Sequence, residues 1–317
     1  MTVVFWVAAG LAAAFTAVRA LGVARGTPLV QLVTYTPYAA VFGVAAGVAG
    51  LATGFPAPGA ALLACGLALA ALVAPRLVPA PPPGEGVRLR VMSANLLFGT
   101  GAGPALVDQA KVDDVDVLAV QELTADGLAA LAAAGLDALL PHRVVSPAPG
   151  GAGSGLFSRH PIDEPGVRTL ERIPMTQALA TVHVPGAGPV LVECAHPYPP
   201  RPGRTGTWAA QLAAQPVPDP DAPPRVLLGD FNATLDHAPL RRLLRAGYRD
   251  AAAARGRGLH PTWPYRTVTL PFWTPPVTLD HVLADRRIGV REFGTRRTPG
   301  SDHRAVVAEL VLRPPAG

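Results

Sequence analysis

Near the C-terminal end of this chain, Leu228-Gly229-Asp230-Phe231-Asn232 and Ser301-Asp302-His303 set an acid, an amide and an Asp-His pair at the ends of what read as β-strands. These residue types suit hydrolysis at phosphorus. A carboxylate binds a hard cation or orients water, an amide holds an oxygen, and an imidazole meets charge developing on phosphorus. Strand alternation puts Val226, Leu228, Asp230 and Asn232 on one face, so acid and amide project together. Asp280 sits between Leu279 and His281-Val282-Leu283, and an acid among apolar strand residues needs a partner. His303 suits it, because an Asp-held imidazole has a fixed tautomer and orientation and can act as a base toward water.

Three upstream positions carry weaker signals. Asn95 ends Ser93-Ala94-Asn95 and reads either as a turn former or as a group reaching a phosphate oxygen or metal-bound water. Glu122 follows the apolar run 115–120, either as a cation ligand at the open end of a buried strand or as a first-turn helix acid. His196 closes 190–195 before Pro197-Tyr198-Pro199-Pro200, where it can donate to a phosphate or a leaving oxygen or simply be structural.

These side chains must be held by strands. Period-two patterns fall at 87–95, 115–121, 190–196, 226–232, 277–283 and 306–312; helical patterns fall at 104–112, 125–134, 205–215 and 237–245. Strands with helices scattered between them predict an α+β fold, packed sheets with helices outside. The segments 197–204 and 255–276 are expected to shape a pocket, with Trp263, Tyr265, Phe272 and Trp273 contacting substrate or packing.

The chain has 317 residues, is 50% hydrophobic, and has only Arg19, Arg25 and Arg76 as charged residues between Val3 and Val78. Apolar runs at 3–21, 28–51 and 58–78 are each about 20 residues and predict three transmembrane helices. A cleaved signal peptide accounts for the first run but not the other two. The expected organisation is a membrane region at 1–79, a Pro-rich linker at 80–86 that is extended and semi-rigid, and a catalytic domain at 87–317. That remainder holds 24 of the 27 basic and 21 of the 22 acidic residues, a net charge near +3. So mild a balance, with Lys111 the only lysine, gives no basic stripe for nucleic acid. Cys65 lies in an apolar run and Cys194 in a strand, so no disulfide joins them.

In order along the chain, Ser93-Ala94-Asn95, Gln121-Glu122, His196, Gly229-Asp230-Phe231-Asn232, Leu279-Asp280-His281 and Ser301-Asp302-His303 resemble the motif series of the endonuclease/exonuclease/phosphatase superfamily. Pro261-Thr262-Trp263-Pro264 and Leu156-Phe157-Ser158-Arg159-His160-Pro161-Ile162 add to the likeness, which spans residues 87–312. The resemblance implies a DNase I-like two-sheet β-sandwich flanked by helices. It implies Glu122 as principal Mg²⁺ ligand, helped by Asn95 and Asp302. Asp230 and Asn232 would orient the water and a phosphate oxygen, His303 paired to Asp280 would be base or electrostatic stabiliser, and His196 would assist at the phosphate. Oxygen-rich ligands favour Mg²⁺ or Mn²⁺ over zinc.

The reaction expected is attack of water on phosphorus; the superfamily leaves the substrate open. The leading reading is a membrane-anchored phosphoesterase acting on a lipid-linked phosphate or pyrophosphate at the lipid bilayer. A nuclease acting on DNA or RNA comes second, and a catalytically silent binding module third. The arrangement also resembles actinobacterial membrane proteins of this superfamily associated with glycopeptide resistance and envelope-lipid recycling, which implies an extracytoplasmic catalytic domain. The arginines point the other way, because Arg19, Arg25 and Arg76 all flank the domain side of the helices.

Overall fold

The computed structural model describes residues 1–265 and 274–314. Its N-terminal part contains α1 (Thr2–Leu21), α2 (Leu29–Val33), α3 (Thr36–Ala52), α4 (Pro56–Val73) and a 3₁₀ turn, Ala74–Leu77. Three apolar runs of about 20 residues were expected to cross a membrane here, and two of them give clear candidates. Thr2–Leu21 and Pro56–Leu77 are long and apolar enough to cross a membrane, whereas Thr36–Ala52 has 17 residues. At 1.5 Å per residue α3 is about 26 Å long, at the lower end of the lengths that cross a hydrocarbon core of about 30 Å. The run 28–51 breaks because its first third belongs to the catalytic domain. Val30 is fully buried in an apolar cluster with Trp208, Leu212, Phe231 and Leu240, worth about 1.5–3 kcal/mol for a side chain of this size. A new helix then starts at Thr36, with Pro37 in its first turn, where a missing N–H costs nothing.

Glycines let α3 and α4 approach closely. A Cβ on Gly47 would lie 2.5 Å from the Leu63 nitrogen, and one on Gly66 would lie 2.4 Å from the Val44 nitrogen. Small residues at a helix crossing are how apolar helices pack where no water drives them together.

The rest of the chain forms a two-sheet sandwich. Its strands are β1 (Val87–Asn95), β2 (Val117–Gln121), β3 (His142–Ser146), β4 (Ser154–Ser158), β5 (Ile162–Leu170), β6 (Met175–Val184), β7 (Gly188–Ala195), β8 (Arg225–Asp230), β9 (Tyr248–Asp250), β10 (Asp280–Asp285), β11 (Gly289–Arg297) and β12 (Arg304–Leu312). One sheet has the order β11-β12-β1-β2-β4-β3 and the other β5-β6-β7-β8-β10-β9. Among the described strands, β1–β2 and β7–β8 are the parallel pairs. Alternate residues of the central strands, such as Leu89 and Val91 of β1 and Val226 and Leu228 of β8, fill the space between the sheets. Against the outer face of the first sheet lie α5 (Pro104–Val112), α6 (Ala125–Ala133) and α7 (Leu136–Leu139). The second sheet carries α8 (Thr205–Ala213) and α9 (Ala238–Arg245), with the short α10 (Ala251–Ala254) against β10 and β11. This is the α+β sandwich expected.

The expected strand at 277–283 begins instead at Asp280, and Val277 forms an isolated antiparallel bridge with Trp263. The connector at 80–86 is tied down at its start, where the Ala80 N–H donates to the Ala254 carbonyl over 2.9 Å. A buried ion-pair cluster joins helices to domain. Asp236, just past β8, accepts from Arg19 Nε at 2.7 Å, Arg76 Nη1 at 2.7 Å and Arg76 Nη2 at 2.5 Å. Burial raises the Asp236 carboxyl, but the Arg76 and Arg19 contacts outweigh it and hold its pKa below the usual carboxylate value. Both cysteines are free.

Candidate active site

The two parallel pairs bring the site together. β1, β2, β7 and β8 all end at one edge of the sandwich, delivering Asn95, Glu122, His196 and Asp230. Antiparallel pairing then sets Asp280, at the start of β10, directly opposite Asp230. His303 precedes β12, the antiparallel neighbour of β1, and so arrives at the same edge. Gly229 is required for this. A Cβ there would stand 1.9 Å from the Ala195 carbonyl oxygen on the neighbouring strand.

Asp230 Oδ2 is the focus. Asn95 Nδ2 donates to it at 3.1 Å, and His196 Nε2 and His303 Nε2 stand 3.8 and 3.7 Å away, leaving room for an intervening oxygen. Asn95 Nδ2 also donates to Glu122 Oε1 at 3.1 Å. Its Oδ1 accepts the Leu97 N–H, so the amide bridges two acids and is itself fixed. Glu122 takes a left-handed backbone (φ 58°), and its Oε2 accepts the Phe98 N–H at 2.9 Å. The backbone N–H of Asn232 donates to Asp230 Oδ1 at 2.8 Å, while its side-chain amide donates to the Pro197 carbonyl, bracing the loop after His196.

Asp280 Oδ2 accepts from His303 Nδ1 at 2.9 Å, as the sequence suggested. Burial pushes the His303 imidazole toward neutrality, but the charges of Asp280 and Asp230 overcome it and raise its pKa well above the usual value. His303 is therefore an imidazolium at neutral pH, suited to stabilising negative charge and giving up a proton. His196 has the opposite setting. Burial lowers its pKa despite Asp230, so it is neutral. Burial also raises the Asp230 carboxyl.

Three buried atoms at this edge lack a partner: Asp280 Oδ1, Asp302 Oδ1 and His196 Nδ1. Burying a charged oxygen unpaired is costly, so the carboxylate oxygens mark where a cation or bound donor belongs. Asp302 is held by Trp263 Nε1, which donates to its Oδ2 at 3.0 Å. Asp230, Asp280 and His303 present ligand atoms within 4.8 Å of one another. Within that group Asp280 and His303 already bond to each other. The eight residues singled out from sequence all lie at this edge: Asn95, Glu122, His196, Asp230, Asn232, Asp280, Asp302 and His303.

Sequence reasoning missed several supports. Buried Gln177 accepts the His196 N–H through Oε1 at 3.2 Å and donates to Glu193, fixing the imidazole-bearing loop. Thr262 Oγ1 accepts the Leu279 and Asp280 N–H groups at 3.0 and 3.1 Å, and the Trp208 indole donates to the Asn232 carbonyl. Gln31, Thr34 and Tyr35 line the catalytic pocket from the N-terminal region. A run of polar groups inside an otherwise apolar stretch was the signal available for them. Of the expected pocket segments, Tyr198, Pro199, Pro200, Arg201 and Trp263 do line it. Tyr265 packs under Arg304, and Phe272 and Trp273 lie outside the described residues. His281 is structural, bound to Asp250 and the Ala233 carbonyl.

A parallel-centred pair of sheets with acids, amides and imidazoles at one edge defines a phosphoesterase sandwich. Residues 92–303 match the Endonuclease/Exonuclease/phosphatase family, and the chain belongs to it. Members are metal-dependent hydrolases of phosphate ester bonds, and this chain is an enzyme of that kind. The fold is similar to that of an endonuclease/exonuclease/phosphatase from Beutenbergia cavernae, at 21% identity and TM-score 0.58, covering 71% of this chain and 72% of that one. Truncated TDP2 from Caenorhabditis elegans is similar at 19% identity and TM-score 0.57, covering 72% and 99%. TDP2 from D. rerio, complexed with a single-strand DNA product, is similar at 14% identity and TM-score 0.57, covering 70% and 98%. No curated protein matches the chain significantly.

Proposed function

We propose that this chain is a membrane-anchored phosphoesterase that hydrolyses a lipid-linked phosphate or pyrophosphate. The observation that carries the reading is that the segment joining the first two apolar helices builds part of the site. Gln31, Thr34 and Tyr35 line a cavity of about 710 Å³ together with Glu122, His196, Asp230 and His303. Gln31 reaches across to donate to the Pro200 carbonyl, and His237 Nε2 donates to the Val30 carbonyl at 2.9 Å. A tether serving only to localise the enzyme has no need to line its pocket.

In the reaction, Glu122, helped by Asn95 and Asp302, would hold Mg²⁺ or Mn²⁺, which when bound offsets charge on the phosphate oxygens. The Asn95 amide keeps Glu122 and Asp230 at one fixed spacing, so neither carboxylate has to reorganise. Asp230 and Asn232 orient the attacking water. His303, held cationic by Asp280, stabilises the phosphorus-bound oxygens as charge builds, and His196 hydrogen-bonds the phosphate or the leaving oxygen.

A nuclease is the second reading, favoured by the DNA-bound structural neighbour. The pocket speaks for lipid instead. Among its described lining residues Arg201 is the one arginine, and Leu97, Phe98, Ile173, Pro174 and Met175 form an apolar rim. A groove for nucleic acid tracks the backbone with several cations.

The extracytoplasmic placement of the domain belongs to the same proposal. Arg19 and Arg76 are buried against Asp236 inside the protein, so Arg25 is the one of the three arginines left exposed to favour the cytoplasmic side. The test is phosphate release by the full-length protein with Mg²⁺ from an isoprenyl pyrophosphate, run beside cleavage of plasmid and abasic-site DNA. Lipid turnover that Glu122→Ala and His303→Ala abolish, with DNA untouched, is the expected result; DNA cleavage without lipid turnover rejects the reading.

A further inference from the structure

A second cavity of about 450 Å³ lies where the domain-side ends of α3 and α4 meet the catalytic domain. Val41 and Tyr38 of α3, Ala70 of α4, and Ala74 and Leu77 of the 3₁₀ turn form its walls. Its floor includes Leu235, Leu259 and Val277. Thr34 and Val277 line both this groove and the catalytic cavity, so the two lie side by side.

The groove's character is apolar. Arg76 and Asp236 are its charged residues among those described, and they pair with each other. The Tyr38 hydroxyl is satisfied by donating to the Pro276 carbonyl at 2.7 Å. Tyr38, Val41 and Leu77 are 43%, 71% and 52% exposed, an apolar mouth at the level where the helices leave the domain. Large apolar side chains left open at one end of a helix pair fit a hydrocarbon environment better than water. The volume lies within the range of sites that bury small ligands.

We infer that this groove holds the hydrocarbon chain of the substrate while its phosphate lies at the catalytic edge. The inference rests on the lipid-phosphate reading above and extends it: the enzyme measures its substrate by chain as well as by headgroup. The occupant is a prenyl or alkyl chain entering from the bilayer past the exposed Val41 and Leu77. Thr34 and Val277 form the threshold between chain and headgroup.

The experiment uses full-length protein in phosphatidylcholine nanodiscs and has two readouts. The first is the ratio of kcat/KM for farnesyl pyrophosphate over isopentenyl pyrophosphate, in wild type and in Ala70→Trp, Ala74→Trp and Val41→Trp. The second is photolabelling by a farnesyl-length alkyl phosphonate with a diazirine near the chain end, mapped by peptide sequencing. Filling the groove should lower the ratio by about tenfold, the equivalent of losing burial of about two methylenes. Label should fall on 37–41 and 70–77 in wild type and leave those peptides in the variants. A ratio unchanged in variants that melt like wild type, or label placed elsewhere, overturns the inference. Label in the groove of a wild type that turns over neither pyrophosphate leaves the chain site standing and sinks the lipid-substrate reading. Lipid turnover indifferent to chain length and to all three variants does the reverse.

Discussion

Replacing Asp236 by Ala tests how the helices are fixed to the catalytic domain. The Asp236 side chain is inaccessible, and those of Arg19 and Arg76 are 5% and 8% exposed. Removing the acid therefore leaves two guanidinium groups buried without a counter-charge. Breaking a buried pair this way costs about 3–5 kcal/mol, far more than an exposed pair, because the surviving charge cannot recover its hydration. With Tm moving by about 2–4 °C per kcal/mol in a domain of this size, the expected fall is on the order of 10 °C. Thermal unfolding of the detergent-solubilised full-length protein reads it directly. The companion variant Arg19→Met/Arg76→Met/Asp236→Leu removes all the charges together and should melt close to wild type, since a buried ion cluster can often be exchanged for apolar packing. The reasoning fails if Asp236→Ala melts within about 2 °C of wild type, which would mean the arginines reach water once released. It also fails if the triple variant melts as low as the single one, which would locate the cost in lost shape.

Other substitutions probe the site and its supports. Asp280→Asn removes the charge that helps hold His303 cationic, so kcat/KM should fall by about 10²–10⁴, with its alkaline limb moving to lower pH; a pH–rate profile displaced upward would refute this assignment. Gly229→Ala drives a Cβ to within 1.9 Å of the Ala195 carbonyl oxygen, so β7 and β8 must part. The cost should be at or above the upper end of the roughly 1–3 kcal/mol typical of overpacking, and chemical denaturation would show it. His237 supplies a pH prediction. Burial lowers its pKa from 6.5 to about 4, its Nδ1 accepting the Thr234 N–H. The unfolded chain binds this proton first on acidification, so the contribution is complete above pH 6.5 and is lost as pH falls toward 4. The window amounts to about 3 kcal/mol, and wild type should lose that much more than His237→Asn between neutral pH and pH 4; equal slopes would contradict it.

The site was legible in the sequence because its residues are carried by short strand ends with strong local signatures. Gly229-Asp230-Phe231-Asn232 declares a strand that stops at an acid, Ser301-Asp302-His303 leads directly into one, and alternation alone gives the face on which Asp230 stands. β1 was read with its observed ends, Val87 and Asn95. Less legible were β5 and β6, whose Ile162–Leu170 and Met175–Val184 stretches mix polar, small and apolar residues and are held as strands by pairing with each other and with β7. Propensity is weak where cross-strand partners decide the structure.

By itself the sequence determined the residue types for metal-assisted attack on phosphorus, the order in which they occur, the sandwich that carries them and the apolar character of the N-terminal region. The tertiary structure decided how they act together. Whether Asn95 is a turn former or a bridge depends on Glu122 and Asp230, which lie 27 and 135 positions away. The charge of His303 depends on Asp280 and Asp230, from two other strands. The division of the second apolar run had the same origin: hydropathy gives the length of a run, but Val30 finds its burial in a cluster built by residues 195 to 283, far later in the chain. Periodicity is a property of neighbours along the chain, whereas burial, charge and the wall shared by groove and active site arise between distant segments, and only folding brings those into contact.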